Sequence, residues 1–170
     1  MSIPEIFLAL GVPGGQYLMP DGTTEYQVLY GGDTWGLSHE EYSLWNTIRQ
    51  TPYAATPART LAQRLAREGA LYLYHETPDE AFLLHHRIAP MGRPIGPLPQ
   101  DPQHFLILST NAQHQVICDI ATAQVWLSWW RGRPLSQTDD FSLSLIWQTI
   151  PWALHHALGY LTLFNGDDAG

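Results

Sequence analysis

Three residues on one predicted helix carry the chemistry of base recognition. Arg59, Gln63 and Arg67 recur at i, i+4 and i+8, so they share a helix face opposite Leu61 and Leu65. Two guanidinium groups and an amide so placed suit guanine and adenine edges in a major groove. A solvated face of an amphipathic helix explains the same spacing, and the charge balance below favours it.

The second constellation is aromatic. Trp126, Trp129, Trp130, Trp147 and Trp152 are clustered, and the first three stand at i, i+3 and i+4 on a single helical face. One small unit can hardly bury all five. Trp126, Trp129 and Trp130 are therefore expected to meet the other half of the chain or a second copy, as in a homodimer, because indoles concentrate at interface centres.

Other reactive types are present in patterns that serve reaction poorly. His85-His86 and His155-His156 are adjacent pairs, and helix neighbours point about 100° apart, so a pair cannot easily share one ion. Cys118 is the single cysteine, which excludes an intrachain disulfide, and its strand-like surroundings read as a buried structural thiol. Asp139-Asp140 reads as helix capping. The glycines from Gly11 to Gly15 do not follow a predicted strand, so they fail as a phosphate or dinucleotide loop. We expect no catalytic residue, no metal and no cofactor.

Composition narrows the partner. The 170 residues carry 16 acidic side chains against eight arginines and no lysine, for a net charge of −8. Nucleic-acid affinity comes largely from cations neutralising phosphates, so non-specific DNA or RNA binding is disfavoured. No apolar run approaches a membrane span and no signal sequence is visible, so a cytoplasmic protein is expected.

The elements that must position these residues follow from capping and periodicity. Residues 1–24 read as loosely structured, with one helical turn at Ile6–Leu10 broken by Gly11, Pro13, Gly14 and Gly15. Glu25–Tyr30 and Thr34–Leu37 read as a hairpin. Ser38 with Glu41 forms a capping box for the helix bearing Leu44 and Trp45. Thr56-Pro57 opens the next helix, Gly69 stops it, and Leu71–Tyr74 is a strand. Thr77 caps a short helix to about His86. Pro94–Pro99 reads as the boundary, giving a first unit over 25–93, a linker over 94–103 and a second unit over 104–165.

The order then repeats. Phe105–Leu108 matches Tyr26–Leu29, Trp126 matches Trp45, a helix from about Ser142 to His156 matches the Pro57 helix, and Gly159 matches Gly69. The offsets are 79 at the strand, 81 at the Trp and 90 at the Gly. The expected class is α+β, built from two tandem winged-helix-like units, each a β-hairpin followed by helices and a returning strand.

Ser38-His39-Glu40-Glu41-Tyr42-Ser43-Leu44-Trp45 followed by Thr60-Leu61-Ala62-Gln63-Arg64-Leu65 resembles the PqqD-like domains of the winged helix-turn-helix superfamily. The resemblance covers about 50 residues of the first unit. Those domains bind precursor peptides for modifying enzymes, the peptide adding as a strand beside a hairpin and a helix. It implies a non-catalytic module for a peptide or protein partner, with Tyr26, Val28 and Tyr30 on the receiving strand and Arg59, Gln63 and Arg67 on the adjacent helix. The alternative is a winged-helix DNA-binding regulator using the same helix face.

Overall fold

The computed structural model describes residues 5–52, 58–110, 114–138 and 141–164. It is a mixed α+β protein of small antiparallel sheets and five α-helices. The first half runs β1 (Ile6–Ala9), β2 (Val12–Leu18), β3 (Thr24–Tyr30), β4 (Asp33–Leu37), α1 (His39–Gln50), α2 (Arg59–Glu68) and β5 (Leu71–Tyr74). After α3 (Glu80–His85), the second runs β6 (His86–Pro90), β7 (Arg93–Leu98), β8 (Asp101–Leu108), β9 (Gln115–Asp119), α4 (Ile120–Ser128), α5 (Leu143–His155) and β10 (Gly159–Leu163).

The two halves pair their strands in the same way. β2, β3 and β4 form one three-stranded sheet, and β7, β8 and β9 form another. The opening strand pairs with the closing one in each case, β1 with β5 and β6 with β10. Equivalent turns follow. The Leu10 N–H donates to Ala70 O at 3.1 Å and the Met91 N–H to Leu158 O at 2.9 Å. The helix ends also match, with the Ala70 N–H bonded to Leu65 O at 2.9 Å and the Leu158 N–H to Ala153 O at 2.8 Å.

That register corrects one sequence match. Leu71 pairs with Ala9 and Gly159 pairs with Pro90, so the closing strands lie 88 residues apart rather than 90. The counterpart of Gly69 is therefore Ala157. Both have positive φ, 92° and 55°, because both terminate a helix in the left-handed conformation. Glycine adopts that geometry without strain and alanine does not, so a Gly-to-Gly match falls two residues out of the strand register.

Two segments expected to be irregular are strands. Gly11-Val12-Pro13-Gly14-Gly15 and Gly92-Arg93-Pro94-Ile95-Gly96 share the pattern Gly-x-Pro-x-Gly at an offset of 81. Each opens an edge strand whose register shifts between the Pro and the second Gly. A proline is tolerated on an edge and a glycine at a bulge, so the residues that signal a break instead shape the strand. The first glycine of each pattern is needed for close approach. A Cβ on Gly11 would lie 2.4 Å from Leu29 O, and one on Gly92 would lie 2.8 Å from Leu108 O. Residues 94–103 are thus β7 and the start of β8, not a linker. Ile6–Ala9 is a strand, not a helical turn, because its four residues find a ladder partner in β5.

Helix starts differ in detail. The Ser38–Glu41 capping box is present in full. Asp79, not Thr77, caps α3 through the Phe82 N–H at 3.1 Å. α2 begins at Arg59 after Ala58, which makes no side-chain cap, while the expected cap at Thr56-Pro57 lies outside the described residues.

The cores interlock through β1. Its alternation sends Phe7 and Ala9 to the core under α1 and α2, with Val28, Trp45 and Leu65. It sends Leu8 and Leu10 to the larger core of the second half, with Trp126, Trp147 and Ile150. The two cores each hold a buried indole bonded to a strand-end carbonyl: Trp45 Nε1 to Leu10 O at 3.2 Å, and Trp126 Nε1 to Leu158 O at 2.9 Å.

Candidate functional site

The residues singled out from the sequence do not converge. Val28 is fully buried. Tyr30 is buried too, its hydroxyl donating to His86 Nε2 at 2.5 Å. Tyr26 is half-buried, stacked on Tyr42 at 4.9 Å. More decisively, β3 is the central strand between β2 and β4, so both of its backbone edges are occupied. An added strand cannot pair with Tyr26, Val28 and Tyr30.

On α2, Arg59 and Arg67 are exposed and Gln63 is half-buried. Arg59 is engaged: Nε and Nη2 each donate to the Glu5 carboxylate at 2.9 Å. This bidentate pair raises the Arg59 pKa and offsets the charge a phosphate would need. Of the tryptophan trio, Trp126 and Trp129 are buried within the chain and only Trp130 is accessible, at 51% exposure. The α-helix stops at Ser128 and Trp129–Arg131 form a tighter 3-10 turn, so the assumed common face is broken. A second copy could meet Trp130 but not its two neighbours.

The concave site lies elsewhere, at the seam between the halves. A cleft of about 680 Å³ opens there. The first half supplies Ala9, Gly11 and Val12 at the β1–β2 corner, with Arg49 and Gln50 from the last turn of α1. The second supplies Ser109, Thr110 and His114 around the β8–β9 connection, His155, His156 and Ala157 at the end of α5, and Gly159 and Tyr160 of β10. The corner exists because Gly11 turns the chain from β1 into β2, its N–H donating to Leu161 O at 2.8 Å.

Local chemistry holds these side chains in place. Arg49 Nε and Nη2 donate to Asn46 Oδ1 at 3.2 and 2.9 Å, and its guanidinium sits 5.8 Å from the centre of the Trp45 ring. Thr110 Oγ1 donates to Ala157 O at 3.2 Å, tying the β8–β9 connection to the α5 terminus. The His155 and His156 rings meet edge to face at 4.9 Å. Burial, and then the neighbouring His155, lower the His156 pKa, so that ring is neutral near pH 7. Ser109 is buried, and its Oγ has no hydrogen-bond partner in the structure. No Asp or Glu is among the described lining residues.

No family model, curated protein or solved structure matches the chain.

Other candidate chemistry stays dispersed. The described residues contain no group of three or more His, Cys, Asp or Glu able to hold a metal ion. Cys118 is buried on β9, and burial pushes its thiol up to about 11, far from a reactive thiolate. The Asp139-Asp140 pair lies outside the described residues. No described helix is long and apolar enough to cross a membrane.

Sequence reasoning passed over Arg49, Ser109 and His114, and weighed His155-His156 only as a metal pair. One signal was available. Gly-x-Pro-x-Gly recurs at the same offset as the Trp pair, which marks Gly11 and Gly92 as equivalent corners rather than breaks.

Proposed function

We propose that the protein is a non-catalytic binding module for a peptide or protein partner, and that the partner's segment enters the seam cleft. The observation carrying this reading is the cleft itself, whose volume falls in the ordinary range for ligand sites and whose walls come from both halves. The finer architecture belongs to the same proposal: two tandem winged-helix-like units, with the PqqD-like resemblance of the first favouring a peptide and a peptide-modifying pathway. So does a cytoplasmic location.

The test is selection of a random displayed-peptide library on the full chain, with the selected peptides then titrated calorimetrically. Saturable binding to the wild type, abolished by Thr110→Trp at the cleft rim, is the expected result. Failure to enrich any peptide, or equal binding to Thr110→Trp, overturns it.

The DNA-binding alternative retains one supporting observation, the exposure of Arg67 and Arg59 on α2. Retention on heparin at low salt that disappears with Arg59→Ala plus Arg67→Ala would favour that reading over the peptide.

A further inference from the structure

The seam cleft reverses the electrostatics of its host. The chain has twice as many acidic as basic residues, yet every described ionisable lining residue is Arg49, a histidine or Tyr160. Arg49 comes from α1, His114 from the β8–β9 connection, His155 and His156 from α5, and Tyr160 from β10. These are all the titratable or charged groups that the described elements turn toward the space. Arg49 is charged at any physiological pH, and its fixed fork suits an oxyanion. Two of its nitrogens already grip Asn46, so the head is oriented before a ligand arrives.

A second observation points the same way. Ser109 is 4% exposed, and its Oγ meets no partner. A buried hydroxyl left unpaired is costly, and in native proteins such groups commonly have a function. Ser109 lines the cleft, so rotation about its single side-chain torsion is the route by which the hydroxyl would donate to a ligand there.

We propose that the seam cleft binds its ligand through an oxyanion, a carboxylate or a phosphate, held by Arg49 and Ser109 with the α5 histidines alongside. This rests on the binding-module reading and adds the chemistry by which the ligand is recognised. An anion beside His156 favours the protonated form that burial disfavours, so binding takes up a proton there and tightens as pH falls.

The experiment titrates full-length, isotopically labelled protein with inorganic phosphate, with acetyl-Ala-Ala bearing a free carboxylate, and with its C-terminal amide, following backbone amide shifts. Expected are saturable shifts at Gly11, Thr110 and Ala157 for phosphate or for the free acid, and none for the amide. Arg49→Met should weaken binding roughly 10-fold or more, the loss of a charge-assisted contact. Ser109→Ala should weaken it less. Arg133→Met, exposed and outside the cleft, should bind as wild type does. Amide thermal stability of each variant, read by circular dichroism, separates lost binding from lost folding. Scattered unsaturable shifts, or equal weakening by Arg49→Met and Arg133→Met, overturn the proposal. If library peptides bind the cleft equally well as acids and amides, the module reading stands and the oxyanion proposal falls. If phosphate binds the cleft while no peptide does, the reverse holds.

Discussion

The two halves share an order of elements and a pairing scheme, but they use them differently. In the first half α2 is a surface helix, with only Ala62 and Leu65 buried among its ten residues. Its counterpart α5 buries seven of thirteen, including Trp147 and Pro151. The reason is position. β5 lies against α5, so the second half receives the sheet of the first on top of its own. The second-half helix is a filling between layers, and the first-half helix keeps a solvent face. What this teaches is that the halves share their strand pairing, while side-chain polarity follows what lands on each face.

The largest effect on this comparison is expected at Trp147. Its Nε1 donates to His75 O at 2.6 Å, its ring stacks on Tyr74 at 4.8 Å, and the Tyr74 hydroxyl donates back to Trp147 O at 2.9 Å. Trp147→Ala should cost about 3–5 kcal/mol. Urea unfolding followed by tryptophan fluorescence and by far-ultraviolet dichroism should show both halves losing stability together. Two separated transitions would show that the halves are independent.

Tyr30 and His86 link the halves by a buried hydrogen bond. His86 Nδ1 donates to Phe82 O, which leaves Nε2 as the acceptor for Tyr30. Tyr30→Phe strands that nitrogen and should cost about 1–3 kcal/mol in denaturant unfolding. Burial lowers the His86 pKa below the ordinary 6.5, and burial pushes the Tyr30 hydroxyl up to about 12. The unfolded chain therefore binds the His86 proton first as pH falls. Stability should be full above about pH 6.5, decline below it, and level off under the folded-state value. His156 shifts in the same direction and adds to the slope. A flat urea midpoint between pH 7.5 and 5 would contradict a neutral buried His86.

Gly69 and Ala157 give substitutions of opposite sign at equivalent sites. Gly69→Ala should destabilise by about 1–2 kcal/mol, since alanine resists positive φ and its Cβ would press on the Trp35 ring. Ala157→Gly should stabilise by up to about 1 kcal/mol by relieving the same strain. Thermal melts of the two variants check the register directly, because a two-residue slip removes the reason for the second effect.

The smallest difference concerns helix starts. Ser38 and Asp119 cap α1 and α4 at equivalent positions, but only Ser38 has the reciprocal glutamate. Either residue changed to Ala should cost about 1 kcal/mol. Glu41→Ala should add a further loss in α1, and Thr122→Ala should add none through a capping box.

Legibility in the sequence tracked how local each cause was. The Ser38 box, the Ser142 start of α5 and the Gly69 stop depend on neighbours within a few residues, and all were readable. β1 was not, because four apolar residues are a strand only when β5 arrives from more than 60 residues away. β2 and β7 were hidden by their prolines, whose edge position is a property of the assembled sheet. The seam cleft was invisible for the same reason. Arg49, Ser109 and His155 are brought together by the packing of the halves, and no window along the chain contains them.

The bridge between Leu10 and Leu161 has a consequence for how the protein is made. Gly11 receives its carbonyl partner from a residue synthesised 150 positions later. A growing chain can build the β2–β4 sheet and α1 early, but the corner of Gly11 stays incomplete until β10 leaves the ribosome. Chaperone demand should therefore last until β10 has been synthesised, and a chain stalled before β10 should expose the Leu8 and Leu10 side chains that pack with Leu161.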